Sequence, residues 1–385
     1  MRSITLHQPR QLVFGSGCLT ECAENLRDTA RGPVLIVTSP SNRRYADRLA
    51  EGLAHAHVDD SIRREPTVAT FLALLERAKR IDPDVVVGIG GGSPLDTAKL
   101  IAALARSGQS VNDAFGIGKL RERAIRLVCL PTTAGTGSEV SPNAILLDER
   151  ERLKKGVISP FLVPDEAWID PMMASTVPPL VTAATGLDAL THSIEAYANN
   201  FAHPLVDAYA VEGIRRIAGS LLTAVREPDN LLAREEMALG SLNGGLCLGP
   251  VNTAAVHALS YPLGSWFHVP HGHANALLLP HVLRFNLPAA VERYRDIALA
   301  MGVEERGSVE AIAEGGIRRI CELTEVTGLE MRMAALGIGE EDIPRMAKAA
   351  CGIERLMRNN PRVVTASDAE AIYRCAMGVA EMAAQ

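Results

Sequence analysis

The chain has 385 residues, 47% of them hydrophobic and 22% charged, with a net charge of −6; that is enough for two domains, each with its own core. No basic tract is present, which argues against nucleic acid or an anionic membrane as a partner. No apolar run reaches membrane-spanning length, MRSITLHQPR lacks the apolar core of a signal peptide, and the seven cysteines share no metal-ribbon spacing, so a cytoplasmic protein with reduced thiols is expected.

In chain order, the first part alternates short apolar runs with helical stretches. VLIVT (34–38), DVVVGIG (84–90), IRLVCLPTT (125–133) and EAWID (166–170) are the predicted strands. Fully apolar strands separated by amphipathic helices predict a parallel sheet covered on both faces. VVVGIGGGSPLDTAKLIAAL (85–104) runs from strand through glycines into helix. Gly90, Gly91 and Gly92 let a pyrophosphate approach the backbone, Ser93 is a candidate cap and Pro94 suits a first turn. The helix N-terminus then offers N–H groups to the anion. The run is neither a G-x-G-x-x-G at the first strand nor a P-loop, and by itself it reads equally well as a ligand-free turn. A second loop, LPTTAGTGSEVSPNAIL (130–146), carries Thr132, Thr133, Thr136 and Ser138 beyond another strand. Two such loops on one sheet favour a dinucleotide.

Beyond Asp170-Pro171 and Val177-Pro178-Pro179 the strand signals stop. PLVDAYAVEGIRRIAGSLLTAV (204–225), VERYRDIALAMG (291–302) and ASDAEAIYRCAMGVAEMAA (366–384) have helical spacing, the last with Ser367 and Glu370 as a candidate capping box or with Ser367 inside the first turn. The expected architecture is an α/β dinucleotide-binding domain (1–180) and a helical metal- and substrate-binding domain (181–385), with a cleft between them.

Asp188 and His192 stand four apart in TGLDALTHSIEAYAN, so both project from one helix face. His257 and His271 fall in HALSYPLGSWFHVPHGHANALLLPH (257–281), beside His268, His273 and His281. One carboxylate and three imidazoles suit a divalent metal, iron or zinc, with room for a substrate oxygen. Alone, Asp188 and His192 would be an ordinary helix pair, which leaves the second histidine segment unexplained. A metal site on a chain with a phosphate loop points to redox chemistry on an alcohol or carbonyl. Glu195 reads as solvated or as a support behind a ligand, and Ser265, Trp266 and Phe267 are candidate pocket residues.

GGGSPLDTAK (90–99), PTTAGTGSEV (131–140), GLDALTHSIEAY (186–197) and the 257–281 segment together resemble the iron-containing alcohol dehydrogenase family, also called group III; LVFGSG (12–17), EPT (65–67) and NPR (360–362) add weaker matches. The resemblance implies a two-domain α/β plus all-α fold, of the architecture shared with dehydroquinate synthase, and NAD(P)-dependent interconversion of a small alcohol and its aldehyde or ketone. It implies Asp188, His192, His257 and His271 as ligands of Fe²⁺, with Zn²⁺ the alternative. Gly91, Gly92, Ser93 and Asp96 then belong to the pyrophosphate loop, Thr132 and Thr133 to the nucleotide contact, and Lys154 or the adjacent Lys155 to the neighbourhood of the cofactor. A homodimer is the expected assembly.

Two positions depart from the family pattern. Tyr261 stands where many members have a histidine credited with proton transfer, which leaves Tyr261, His273 or bound water for that role. Ser39 replaces an aspartate that repels a 2′-phosphate, and Arg43 and Arg44 follow, so NADP(H) is expected to be accepted beside NAD(H). The rival readings are a lyase of the dehydroquinate synthase type, a non-catalytic nucleotide or metal sensor and, within the family, maleylacetate reductase. The lyase is disfavoured because the segments at 188–192 and 257–281 hold no lysine or arginine cluster for a phosphorylated sugar acid.

Overall fold

A computed structural model describes residues 2–63 and 65–378. Among the described residues nine strands precede residue 170: β1 (Gln11–Phe14), β2 (Val34–Val37), β3 (Ala56–Asp59), β4 (Val85–Gly90), β5 (Gly116–Ile117), β6 (Arg126–Pro131), β7 (Asn143–Asp148), β8 (Leu153–Ile158) and β9 (Glu166–Ile169). Six form one parallel sheet in the order β1-β9-β6-β4-β2-β3. The four predicted strands are its β2, β4, β6 and β9. The edge strands β1 and β3 and the small sheet β5-β8-β7 went unpredicted.

Both faces of the central strands are buried, which is why they read as unbroken apolar runs. Leu35, Val37 and Val86 pack with Leu95 and Ile101 on one face. Val34, Ile36, Val85 and Val87 pack with Leu19, Leu26 and Leu49 on the other. The chain steps from β2 out to β3 and returns to the far side of β2 as β4, so the strand order reverses between β2 and β4. Ligands of open α/β sheets sit outside the strand carboxyl ends at such a reversal. Ser39 follows β2, Gly91 follows β4, and Thr132 follows β6, whose Pro131 pairs with Gly90.

From Pro179 every regular element described is helical. The helix Pro179–Tyr197 is buried on all sides from Gly186 to Tyr197, as expected of a helix at the centre of a bundle. The helices Pro204–Arg226, Leu231–Cys247 and His271–Asn286 pack around it. Gly272 permits the last contact: a Cβ there would stand 2.3 Å from the Ala184 carbonyl oxygen. The loop after β6 meets the bundle where a Cβ on Gly137 would lie 2.3 Å from Gly245 Cα. The last helix, Ala366–Ala376, is capped by Thr365 with Asp368. Ser367 therefore sits in its first turn, the second of the two expected placements, and the capping box belongs to Thr365 and Asp368 instead of Ser367 and Glu370. The predicted continuation of this helix over 379–384 lies outside the described residues. Among the described residues no helix is long and apolar enough to cross a membrane.

Candidate metal centre

Three ionisable side chains project from one buried face of the helix Pro179–Tyr197: Asp188, His192 and Glu195, each about 5% exposed or less. Burying such groups is costly unless each is paired or binds a metal. The helix Ala255–Phe267 contributes His257, and the first residue of the next helix is His271. Asp188 Oδ1 lies 3.8 Å from His192 Nε2, 3.6 Å from His257 Nε2 and 3.8 Å from His271 Nε2. Ligand atoms of Asp188, His192 and His257 all fall within 4.8 Å of one another. A tetrahedral ion with bonds of about 2.1 Å would hold its ligands roughly 3.4 Å apart, so Asp188, His192 and His257 form a group that a divalent metal could draw together, with His271 beside it through Asp188.

Asn275, one helical turn after His271, supports this fit. Its Nδ2 donates to Asp188 Oδ1 at 2.7 Å and also faces His257 Nε2 at 3.1 Å and His271 Nε2 at 3.3 Å. An amide has two hydrogens for these three atoms, so Asn275 alone cannot satisfy the cluster. Among the described residues, His271 Nδ1 and Asn275 Oδ1 are buried without a hydrogen-bond partner.

The electrostatics follow from burial and mutual proximity. Burial alone would raise the Asp188 carboxyl, but the surrounding His192, His271 and His257 hold it well below the usual carboxylate range. Burial lowers His192, and together with the nearby Lys154, His257 and His192 it takes His271 down to about 3. Both imidazoles are thereby neutral, as metal ligation needs. Burial would also lower His257, but Glu195 and Asp188 outweigh it and push the group up to about 10. Glu195 Oε2 lies 2.6 Å from His257 Nδ1, and its Oε1 accepts the Val256 N–H at 2.6 Å. Glu195 thus orients His257, the support arrangement usual behind metal-bound imidazoles. His192 is oriented by the Gly135 carbonyl, 3.2 Å from its Nδ1.

A cavity of about 200 Å³ joins these ligands to the glycine loop, with Gly92, Ser93, Asp96 and Ser138 on one side and the four candidate ligands on the other. A Cβ on Gly91 would lie 3.3 Å from Thr133 Oγ1 and one on Gly92 3.0 Å from Thr136 Cγ2, so the two loops touch. The helix Gly92–Leu104 has Gly91 as its cap and no side-chain capping bond. Ser93 lies inside the helix, so the cap assigned to it from sequence moves to Gly91 and the first N–H groups stay open to an anion. Asp96 accepts from Ser138 Oγ at 2.6 Å and from the Ile145 N–H at 2.9 Å, so it braces the second loop. Lys99, fully buried, does the same through Ser138 Oγ and the Asn143 carbonyl.

Strand alternation sends the two adjacent lysines of β8 to different partners. Lys154 turns into the cavity, its side chain 2% exposed and its Nζ 2.6 Å from Glu65 Oε1. Lys155 turns away to Asp148 and Glu151. Tyr261 lines the cavity with its ring 6.2 Å from that of His271, and its Oη accepts from Arg355 Nη2 at 2.9 Å. His273 Nε2 lies 2.6 Å from the Glu330 carbonyl, and His273 is not among the residues that line this cavity. Ser39 Oγ faces Ser41 Oγ and accepts from Asn42. Arg43 is engaged by Asp47 and Asp60, and Arg44 by Thr176 and Tyr45. A second correction concerns charge: the ligand segments hold no basic residue, yet the fold brings Lys154 and Arg355 into the same cavity from elsewhere. Absence of cations near the metal therefore cannot argue against an anionic substrate.

Residues 9–171 match the family model for iron-containing alcohol dehydrogenase, and residues 182–377 match that for the Fe-containing alcohol dehydrogenase family, C-terminal. Lactaldehyde reductase of Escherichia coli (strain K12) is 35% identical over 373 residues, covering 94% of this chain and 97% of that one. The structure of a 1,3-propanediol oxidoreductase superposes with a TM-score of 0.93 at 34% identity, covering 97% of this chain and 100% of the other. Sulfoacetaldehyde reductase from Bifidobacterium kashiwanohense in complex with NAD⁺ gives a TM-score of 0.88 at 28% identity, covering 99% and 100%.

Proposed function

Because this chain belongs to the iron-containing alcohol dehydrogenase family, we propose that it interconverts a small alcohol and its aldehyde or ketone with NAD(H) or NADP(H). Asp188, His192, His257 and His271 are the residues that hold the divalent metal, Fe²⁺ by family and Zn²⁺ by donor chemistry. The observation that carries this reading is the approach of three imidazole Nε2 atoms to one Asp188 oxygen at the end of a cavity that opens on the glycine loop. When bound, the metal supplies Lewis acidity to the substrate oxygen and the nicotinamide gives or takes the hydride.

The chain's own residues supply position and exclusion of water. Gly91, Gly92 and Ser93 present backbone to the pyrophosphate, Thr132 and Thr133 line the nucleotide side, and Asp96 and Lys99 fix the loop that carries them. Residues 1–180 act as the dinucleotide domain and 181–385 as the metal- and substrate-binding domain. Tyr261 Oη, already accepting from Arg355, keeps its own O–H to donate within the cavity. Ser39 leaves a 2′-phosphate unrepelled, although the aspartates on Arg43 reduce what that arginine can offer.

The test is consumption of NADH and NADPH with a panel of small aldehydes, on protein stripped of metal and reloaded with Fe²⁺ or Zn²⁺. Turnover that requires metal supports the reading. Turnover by demonstrably metal-free protein, or none with any pairing, would sink it.

A further inference from the structure

The cavity at the metal ligands shares Lys154, Tyr261 and Arg355 with a larger neighbour of about 760 Å³. In this larger cavity the charge runs against that of the whole molecule. The chain carries a net −6, yet six lining side chains are cationic (Arg152, Lys154, Lys155, Arg345, Lys348 and Arg355) and only Glu354 is acidic. Three of the six are already answered: Lys154 by Glu65, Lys155 by Asp148 and Glu151, and Arg345 by Asp342. Among the described residues, Arg152, Lys348 and Arg355 have no carboxylate within ion-pair distance.

Of these Arg355 stands nearest the chemistry. It is half-buried, and its one side-chain partner is the neutral Tyr261 Oη. A guanidinium has five N–H donors and matches a bidentate oxyanion, so most of its capacity is unspent. The Tyr261 ring separates it from the metal ligands, 5.8 Å from the guanidinium carbon and 6.2 Å from the His271 ring. Pro262 and the Trp266 indole add apolar wall beside it.

We propose that the substrate is a short aldehyde, or the matching alcohol, with a terminal oxyanion (carboxylate, phosphonate or sulfonate) that binds Arg355 while its carbonyl faces the metal ligands. Arg152 and Lys348 at the exposed mouth attract the anion, and Tyr261 holds the guanidinium in place. The inference rests on the dehydrogenase reading for its reactive end and on the cationic cavity for its charged end. A neutral alcohol would leave a half-buried guanidinium short of partners.

The experiment compares kcat/KM for succinic semialdehyde and phosphonoacetaldehyde with that for butanal, on metal-loaded wild type, Arg355→Met and Arg355→Lys. In parallel, calorimetry measures binding of succinate and of succinamide to the same proteins in a buffer free of phosphate. Wild type should favour at least one anionic aldehyde. Arg355→Met should cut the anionic-to-neutral ratio about 10- to 100-fold, the loss expected for a charge-assisted bond, mostly through KM. Arg355→Lys should restore part of it. Succinate, and not succinamide, should bind in an Arg355-dependent manner. A preference confined to one of the two anionic aldehydes tells carboxylate from phosphonate. Butanal turned over as well as the anions, with both falling equally in Arg355→Met, would overturn the proposal and leave the dehydrogenase standing. A rise in KM for NADPH alone would overturn it by giving Arg355 to the cofactor. If no aldehyde is reduced but succinate binding depends on Arg355, the anion site stands and the dehydrogenase reading falls.

Discussion

Gly272→Ala should separate metal binding from folding, because the residue sits where two helices meet beside the candidate metal centre. The added Cβ would lie 2.3 Å from the Ala184 carbonyl oxygen, 2.8 Å from its carbon and 3.2 Å from Asp188 Cβ. The first two contacts are to backbone in the buried central helix, so relief requires the helix His271–Asn286 to move back by about 1 Å. His271 is the adjacent residue and must move with it, which takes its Nε2 away from Asp188. Metal sites tolerate only about 0.2 Å of misplacement. Loss of one ligand should exceed the 10- to 100-fold cost of losing an outer support, so the metal Kd should rise by at least about 100-fold. Folding should suffer less, since overpacking costs about 1–3 kcal/mol and alanine returns part of that as helix propensity. The assay is competition for Zn²⁺ with a coloured chelator, beside thermal melts of the metal-free protein. A folded Gly272→Ala with wild-type metal affinity would refute the argument that this close approach builds the site.

Ser39→Asp restores a carboxylate at the β2 end, and should raise the KM for NADPH at least about tenfold relative to that for NADH by like-charge repulsion; equal effects on both cofactors would place the ribose elsewhere. Burial raises the Glu139 carboxyl from an ordinary 4.5 to about 7, so its folded pKa exceeds its unfolded one. The protonated form stabilises the fold below about pH 4.5, and this contribution is lost as pH rises through 7, a cost on the order of 3 kcal/mol. Glu139→Gln should therefore gain thermal stability over wild type between pH 5 and 7.5 and hold the gain above; a difference independent of pH would count against it. Lys99→Met deletes the buried tie between the helix after the glycine loop and the Ser138–Asn143 segment, and should raise the KM for the dinucleotide about tenfold with little change in metal affinity. Steady-state kinetics and chelator competition check both.

Legibility from sequence followed the range over which each feature is encoded. Asp188 and His192 are read from helical period alone, and the glycine loop from a strand running into a helix. Strands β2, β4, β6 and β9 announce themselves because burial on both faces leaves nothing polar in them. β7 and β8 gave no such signal: LKKGVI puts Lys154 into the cavity and Lys155 outward, and neither lysine looks like part of a strand until its partners are known. Asn275 was hidden inside the apolar run ANALLLP, although a polar residue one turn after His271 was the available clue. The cationic wall was the least accessible. Arg355 and Tyr261 are 94 residues apart, and Lys154 is further off on a different domain. A local motif shows which atoms can hold a metal because adjacent turns of helix bring them together. Substrate charge is set by side chains that only tertiary packing assembles, so members that share the ligand motif can differ in what they accept.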